Sequence, residues 1–413
     1  MRATGRPSLA SLAAAAILSL ILGSCDKGDA GTTGGWTTVV GDRDGVRTVE
    51  NVPPREGAAA TMVGEELLRI GTFEGRSPSA FGLIRSLAVL PDGRIAVADG
   101  QAEEVRLFSA RGEFVRSFGG AGQGPGELER LQGVYEQDGL LRVPEQGNSR
   151  VSVFDPDAGY LRSYPLRLYS FGGVGPWQAV VDSAGRTIVN SSGEFGEGRY
   201  WNMLRIYDES MVQLDSVPYF DYTDEIDVPG AWTVDLGPGR WTYAPVPFFS
   251  RSYEALTPSG QLLKSTEGVV YLEVTRWRPP EDTVLVFSSL RPTEPVTRAE
   301  RDSALADLRR TLEERTGTVP GFDPSRVPDR KPPLHGLSTD DRGRVWVRLS
   351  APEVEPTLYD VFGPDGTWVE TVSIGSRVDP WVPPLVRGEE FWAVVVDELD
   401  VQYVVSGRLR PVD

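Results

Sequence analysis

Short alternating apolar runs recur along the chain, each entered through a turn that carries a glycine. Pro91-Asp92-Gly93-Arg94 leads into Ile95-Ala96-Val97, and Gln137-Asp138-Gly139 into Leu140-Leu141-Arg142-Val143. Ala184-Gly185-Arg186 leads into Thr187-Ile188-Val189, and Ser259-Gly260-Gln261 into Leu262-Leu263. Asp341-Arg342-Gly343-Arg344 leads into Val345-Trp346-Val347, and Arg387-Gly388 into Phe391-Trp392-Ala393-Val394. A period of two marks half-buried strands, and the glycine supplies the backbone freedom of a tight turn. The intervals between these glycines are 46, 46, 75, 83 and 45 residues. Three of them are one repeat, and the other two are one repeat lengthened by an insertion, which makes six units.

Further alternating runs follow within the units. Val105-Arg106-Leu107-Phe108, Val151-Ser152-Val153-Phe154, Leu204-Arg205-Ile206-Tyr207 and Leu358-Tyr359-Asp360-Val361-Phe362 predict third strands. Phe114 to Phe118, Tyr160 to Tyr164 and Trp368 to Val372 predict fourth strands. Four short strands in about 46 residues make one blade, so the pattern predicts an all-β, six-bladed β-propeller over 62–413. The sixth unit shows three strands at most. Glu66-Leu67-Leu68-Arg69-Ile70, ahead of the first unit, is predicted to supply the fourth and close the ring, which leaves no open edge.

Leu87-Ala88-Val89 through Gly93-Arg94-Ile95-Ala96-Val97-Ala98-Asp99, then Val105-Arg106-Leu107-Phe108, resembles an NHL-type blade. Gly119 to Leu128 resembles that family's glycine-rich joint between blades, and Gly147-Asn148-Ser149-Arg150-Val151 its Asn-x-Arg-Val step. The resemblance is good over 81–165, fair over 336–372 and weak elsewhere. As a whole the chain resembles bacterial six-bladed propeller lipoproteins with NHL-like repeats. That resemblance implies a cell-envelope binding or scaffolding module, since many such proteins have no assigned activity.

Two insertions lengthen the ring, at about 190–252 and 291–335. Eleven aromatics fall within 200–249, among them Trp201, Trp232 and Trp241. They suit either an aromatic platform for a glycan, peptide or protein, or a small core that seats the loop on a blade. In the second insertion Thr297-Arg298-Ala299-Glu300 is a capping box. Ala304, Leu305, Leu308 and Leu312 share one helical face, and Gly317 suits the C-cap. This predicts one surface helix packed against a blade, followed by an extended return over 320–333.

The first 24 residues read as a lipoprotein signal peptide. Arg2 and Arg6 precede an uncharged run from Leu9 to Leu22, too short to span a bilayer as a helix. Leu22-Gly23-Ser24-Cys25 resembles a bacterial lipobox, with Cys25, the only cysteine, as the lipidated residue. Asp26 resembles an inner-membrane retention signal, so the expected place is the periplasmic side of the cell envelope, with the inner membrane favoured. Residues 25–61, weakly periodic, read as a flexible tether. The formal charge is -17, and removing 1–24 takes away two arginines and no acid, leaving -19. With no basic block, nucleic acid is excluded as a partner, and anionic lipid is disfavoured.

Candidate chemistry is sparse. His335 is the only histidine, no Gly-x-Ser-x-Gly elbow is present, and zinc sites built on several His or Cys are ruled out. The run 119–126 lacks Lys-Ser or Lys-Thr and opens no helix, so it is a joint and not a phosphate loop. No cofactor is expected. Calcium is open, because acidic propellers can hold it through oxygen ligands. Eight residues before each turn glycine, at the start of each inner strand, stand Arg85, Leu131, Trp177, Ser252, His335 and Pro380. Arg85, Trp177 and His335, with Arg251 beside them, are the predicted ligand-binding rim of the channel. The expected function is a membrane-anchored module for an envelope protein, peptide or glycan. The alternative is a calcium-dependent hydrolase or lactonase at the channel mouth.

Overall fold

The computed structural model describes residues 30–54, 59–73, 77–166, 178–196, 199–222, 230–238, 240–269, 271–277, 283–318, 321–349, 351 and 353–412. Over these residues the chain is all-β, with one α-helix, Arg298–Thr316, and one short 3-10 turn, Pro324–Arg326. The strands run as successive antiparallel meanders, designated units I to VI. Unit I holds Ile84–Val89, Ile95–Asp99, Glu104–Phe108 and Phe114–Gly119. Unit II holds Tyr135–Gln137, Leu140–Glu145, Arg150–Asp155 and Gly159–Pro165. Unit III holds Gln178–Val181, Thr187–Gly196, Arg199–Tyr207 and Gln213–Tyr222. Unit IV holds Glu254–Leu256, Leu262–Ser265, Leu272–Trp277 and Thr283–Ser289. Unit V holds Gly336–Thr339, Val345–Arg348, Thr357–Phe362 and Trp368–Ile374. Unit VI holds Leu385–Arg387, Glu390–Val396 and Gln402–Pro411, with Met62–Ile70 antiparallel along the last of these. Met62–Ile70 also pairs in parallel with the last strand of unit V, Val372 opposite Met62.

The six hairpin-turn glycines all have φ between 63° and 86°, a region that penalises any residue with a Cβ. At Gly260 space adds a second reason, since a Cβ there would meet Ile188 of unit III at 2.1 Å. The second strands are buried on both faces, as Ile95–Asp99 is throughout. Their side chains fill clusters between neighbouring sheets. Units I and II share Ala96, Leu107, Leu141 and Phe154. Val151 and Leu166 meet Val189 and Tyr207 between II and III. Ile188 and Leu204 meet Leu256 and Leu262 between III and IV. Leu263 and Phe287 meet Val345 and Phe362 between IV and V. Tyr359 and Val372 meet Phe391 and Val405 between V and VI. Val394 and Val404 of VI then meet Ile84 and Phe108 of unit I.

The N-terminal segment corrects one expectation. Ala30–Thr33, Trp36–Arg43 and Val46–Val52 are strands, so most of 25–61 is not a flexible tether. Val46–Val52 pairs in parallel with Thr283–Ser289 and adds three strands to the outer edge of unit IV. Trp36 is 1% exposed and stacks on Trp368 at 4.9 Å. Asn51, fully buried, donates to the carbonyls of Ser288 and Gly366 and accepts from the Trp368 amide. Weak periodicity hid these strands, because few of their side chains face the core.

The insertions differ as well. Thr187–Gly196, Arg199–Tyr207 and Gln213–Tyr222 are the long strands of unit III, so the first insertion begins after Tyr222 rather than at 190. It contributes the hairpin Ala231–Asp235 and Trp241–Pro245. The helix Arg298–Thr316 carries the predicted capping box, and Gly317 caps it at φ 71°. It packs on that hairpin rather than on a blade. Leu305 and Leu312 share a core with Trp232, Val234, Ala244, Val246, Phe322 and Val327.

Candidate functional site

The meanders sort the connections onto two ends. The turns between first and second strands, and between third and fourth, lie at one end. The turns between second and third strands, and the links between units, lie at the other, called here the loop end. Both insertions are links between units, III to IV and IV to V, so both rise from the loop end. There they pack together into one cap. Trp232 stacks on Phe322 at 4.6 Å at its centre, and Arg301 pairs with Asp329 at 2.8 Å across its base. Lys331 reaches Glu294 and Glu300, both at 2.9 Å. Hydrogen bonding from Lys331 and Thr297 holds the Glu300 carboxyl down at about 2.

Over units V, VI and I the loop end carries no such cap among the described residues. Val354, Trp381, Leu399, Phe73 and Leu83 are exposed there, each in a loop or beside one. A recess of about 300 Å3 lies among these loops, lined by Arg69, Glu353, Glu355, Arg377, Asp397 and Glu398 together with Ser376, Val395 and Val396. The Val401 and Leu399 amides, the Tyr403 hydroxyl and nearby Arg377 hold Asp397 below the usual carboxylate range. Sequence reasoning passed over this region. Its only signal was apolar residues inside polar turns, as in Asp397-Glu398-Leu399-Asp400.

Three of the four predicted rim residues, Arg85, Arg251 and His335, fall among the described residues. His335 immediately precedes the inner strand of unit V, and its amide donates to the Arg348 carbonyl at 2.8 Å. Burial, reinforced by Arg348 and Lys331 and opposed by Glu353, pushes its imidazole down to about 4. Tyr253 feels the charges of both Arg251 and the buried Arg348, and Arg348 also acts on His335. Arg85 stands on unit I with its side chain beside Gly100. Trp177 lies outside the described residues. Of the aromatic candidates, Trp232 is core to the cap and offers no platform, because its ring is needed to bury Phe322. Trp241 is exposed beside Tyr243 at 5.0 Å, and Trp201 stands in the strand Arg199–Tyr207 opposite Asp221. Cys25 and residues 1–24 lie outside the described residues.

The glycine-rich joint and the Asn-x-Arg-Val step form one structural clamp. Glu145, fully buried, accepts from the Glu129 amide, Asn148, Arg150 and Ser152. Arg150 also donates to the carbonyls of Gln123, Gly124 and Glu127, pinning the joint. Unit I repeats the device. Buried Asp99 accepts four backbone amides and pairs with Arg106, which holds the carbonyls of Pro78 and Ala80. These charges organise loops, and their donors and acceptors are occupied by protein. Among the described residues no three of His, Cys, Asp and Glu stand close enough to hold a metal.

No family model and no curated protein sequence matches the chain. The NHL-type resemblance therefore rests on the residues quoted for it alone. Solved structures give distant likenesses. One is a member of the DUF4221 family from Bacteroides vulgatus (TM-score 0.47, 10% identity, 85% of this chain and 98% of that one). Another is an exported protein of Bacteroides fragilis (0.46, 10%, 89% and 100%). A third is virginiamycin B lyase of Staphylococcus aureus (0.40, 11%, 92% and 89%). Likenesses at this level carry no statement about activity, and the chain is assigned to no family.

Proposed function

We propose that this chain is a closed six-bladed β-propeller of the bacterial cell envelope, anchored through a lipid on Cys25, that binds a protein, peptide or glycan at its loop end. Closure is supported by apolar clusters that run from each unit to the next and from VI back to I. It is supported too by Met62–Ile70 lying along Gln402–Pro411, with Leu68 opposite Ser406. The observation that carries the binding role is the asymmetry of the loop end. A built cap stands over one half, and exposed apolar side chains with an acidic recess occupy the other. Large apolar groups left in water at one place mark an interaction surface.

Four residues, 26–29, separate Cys25 from the first strand. That stretch reaches about 17 Å when fully extended. A lipid on Cys25 would thus hold the extended edge of unit IV close to the bilayer, with the uncapped half on other units.

Mass spectrometry of the mature protein tests the anchor, which stands on finding diacylglycerol on Cys25. Site-specific photo-crosslinkers tested in intact cells, at Trp381 on the loop end and at Asp138 on the opposite end, test the binding face. A discrete adduct from position 381 alone is expected. Equal adducts from both positions would overturn the assignment.

A further inference from the structure

We propose that the uncapped half of the loop end docks a protein segment that presents a Lys or Arg flanked by apolar side chains. The proposal rests on the reading that this end is the binding face and names the chemistry of what it takes.

Two features coincide there. The first is apolar. Phe73, Trp381 and Leu399 are 68%, 56% and 71% exposed, with Leu83 and Val354 also in water. A single exposed apolar residue is ordinary, but a group of them is not. Leu83 and Trp381 are linked through the side chains of Gln402 and Asp379. The Ile84 amide, next to Leu83, donates to Gln402, and Gln402 donates to Asp379, two residues before Trp381. Val354 lies between Glu353 and Glu355, and Leu399 follows Glu398, so both stand in segments that line the recess.

The second feature is charge. Both cations of the recess are already engaged. Arg69 is bidentate to Glu66 at 2.7 Å, and Arg377 binds Asp400 at 2.8 Å and the Asp397 carbonyl. Asp397 is held by two amides and a tyrosine hydroxyl. Glu353, Glu355 and Glu398 make no hydrogen bond or ion pair among the described residues, and Glu353 is within electrostatic reach of Arg348 and His335. Four carboxylates against two arginines leave the recess net negative within an apolar frame, and its complement is a cation with apolar neighbours. An anionic bilayer and a second copy of this chain, itself at -17, are both repelled by it.

The test uses the full mature chain and three labelled twelve-residue peptides. All share one leucine pattern, and they carry Lys, Gln or Glu at the polar positions. Binding is read by fluorescence anisotropy at physiological salt. One variant combines Glu353→Gln, Glu355→Gln and Glu398→Gln. A charge-matched control combines Glu113→Gln, Asp138→Asn and Glu209→Gln at the opposite end. A third combines Trp381→Ala and Leu399→Ala. The Lys peptide is expected to bind at least tenfold tighter than the Gln peptide. It should weaken at least tenfold in the loop-end triple and in the apolar pair, and not in the control. Equal weakening in the two triples would overturn the proposal, leaving only diffuse charge. If Lys and Gln peptides bind alike and both weaken in the apolar pair, the cationic partner is wrong while the binding face stands. If no variant alters any peptide, the binding face falls as well.

Discussion

Single residues in this protein act mainly by tying loops down. Arg150 neutralises the fully buried Glu145 and holds three carbonyls of the glycine-rich joint. Arg150→Ala leaves a buried carboxylate unpaired, so a loss of about 3–5 kcal/mol is expected by urea unfolding. A loss under about 1 kcal/mol would show that the clamp is ornamental. Arg142 is the opposite case. It is 3% exposed, its Nε and Nη1 find no hydrogen-bond partner among the described residues, and its guanidinium stands over the Tyr164 ring at 5.9 Å. Replacing such a charge with Met should be neutral or raise stability by about 1–4 kcal/mol. A clear loss in the same urea experiment would mean that the contacts of Arg142 with Tyr135 and Tyr164 outweigh the cost of burying its charge. His335 carries a pH signature. Its imidazole is pushed down to about 4 in the folded chain, so the unfolded chain binds the proton first. The contribution is complete above the ordinary value of about 6.5 and is lost as pH falls toward 4. The slope of stability against pH in that window should shrink in His335→Gln, and the imidazole NMR signals of the native chain should titrate near 4.

At the scale of elements, the sharpest departure from the sequence reading is the N-terminal sheet extension. If residues 30–52 were a tether, Trp36→Ala would cost nothing. The stacked pair with Trp368, and Arg291 over the Trp36 ring at 5.4 Å, say otherwise. A loss of about 3–5 kcal/mol is expected in thermal or urea unfolding. The cap makes the same point. Each insertion was visible as a change in repeat length, and the helix was legible down to its capping box. That the helix and the aromatic hairpin serve as each other's core was not legible. Neither element carries a pattern specifying its partner, because an apolar stripe asks only for burial and not for a particular surface.

For the whole molecule, the proposal of a closed ring separates two truncations. A chain beginning at residue 59 keeps Met62–Ile70 and loses the extension, and should remain a folded, less stable monomer. A chain beginning at residue 71 bares the edge of Gln402–Pro411 and opens the cluster between VI and I. It should aggregate or unfold, read by gel filtration and near-UV circular dichroism. A monomeric, cooperatively unfolding chain from residue 71 would refute closure. A screened, diffuse charge of -17 does not choose a face. The choice comes from where the links between units place their side chains.

The sequence by itself determined the strand repeat, the turn glycines, the capped helix and the acidic character. Each of these is local: a two-residue period, a positive φ and a capping box are set by neighbours a few positions apart. Only the tertiary structure decided that 30–52 extends unit IV, that two insertions 60 or so residues apart share one core, and that the distant segments carrying Glu353, Arg377 and Glu398 line one acidic recess. Those are contacts between distant segments. Their free energy comes from burial and charge pairing that exist only after the sheets have packed, so no local pattern records them.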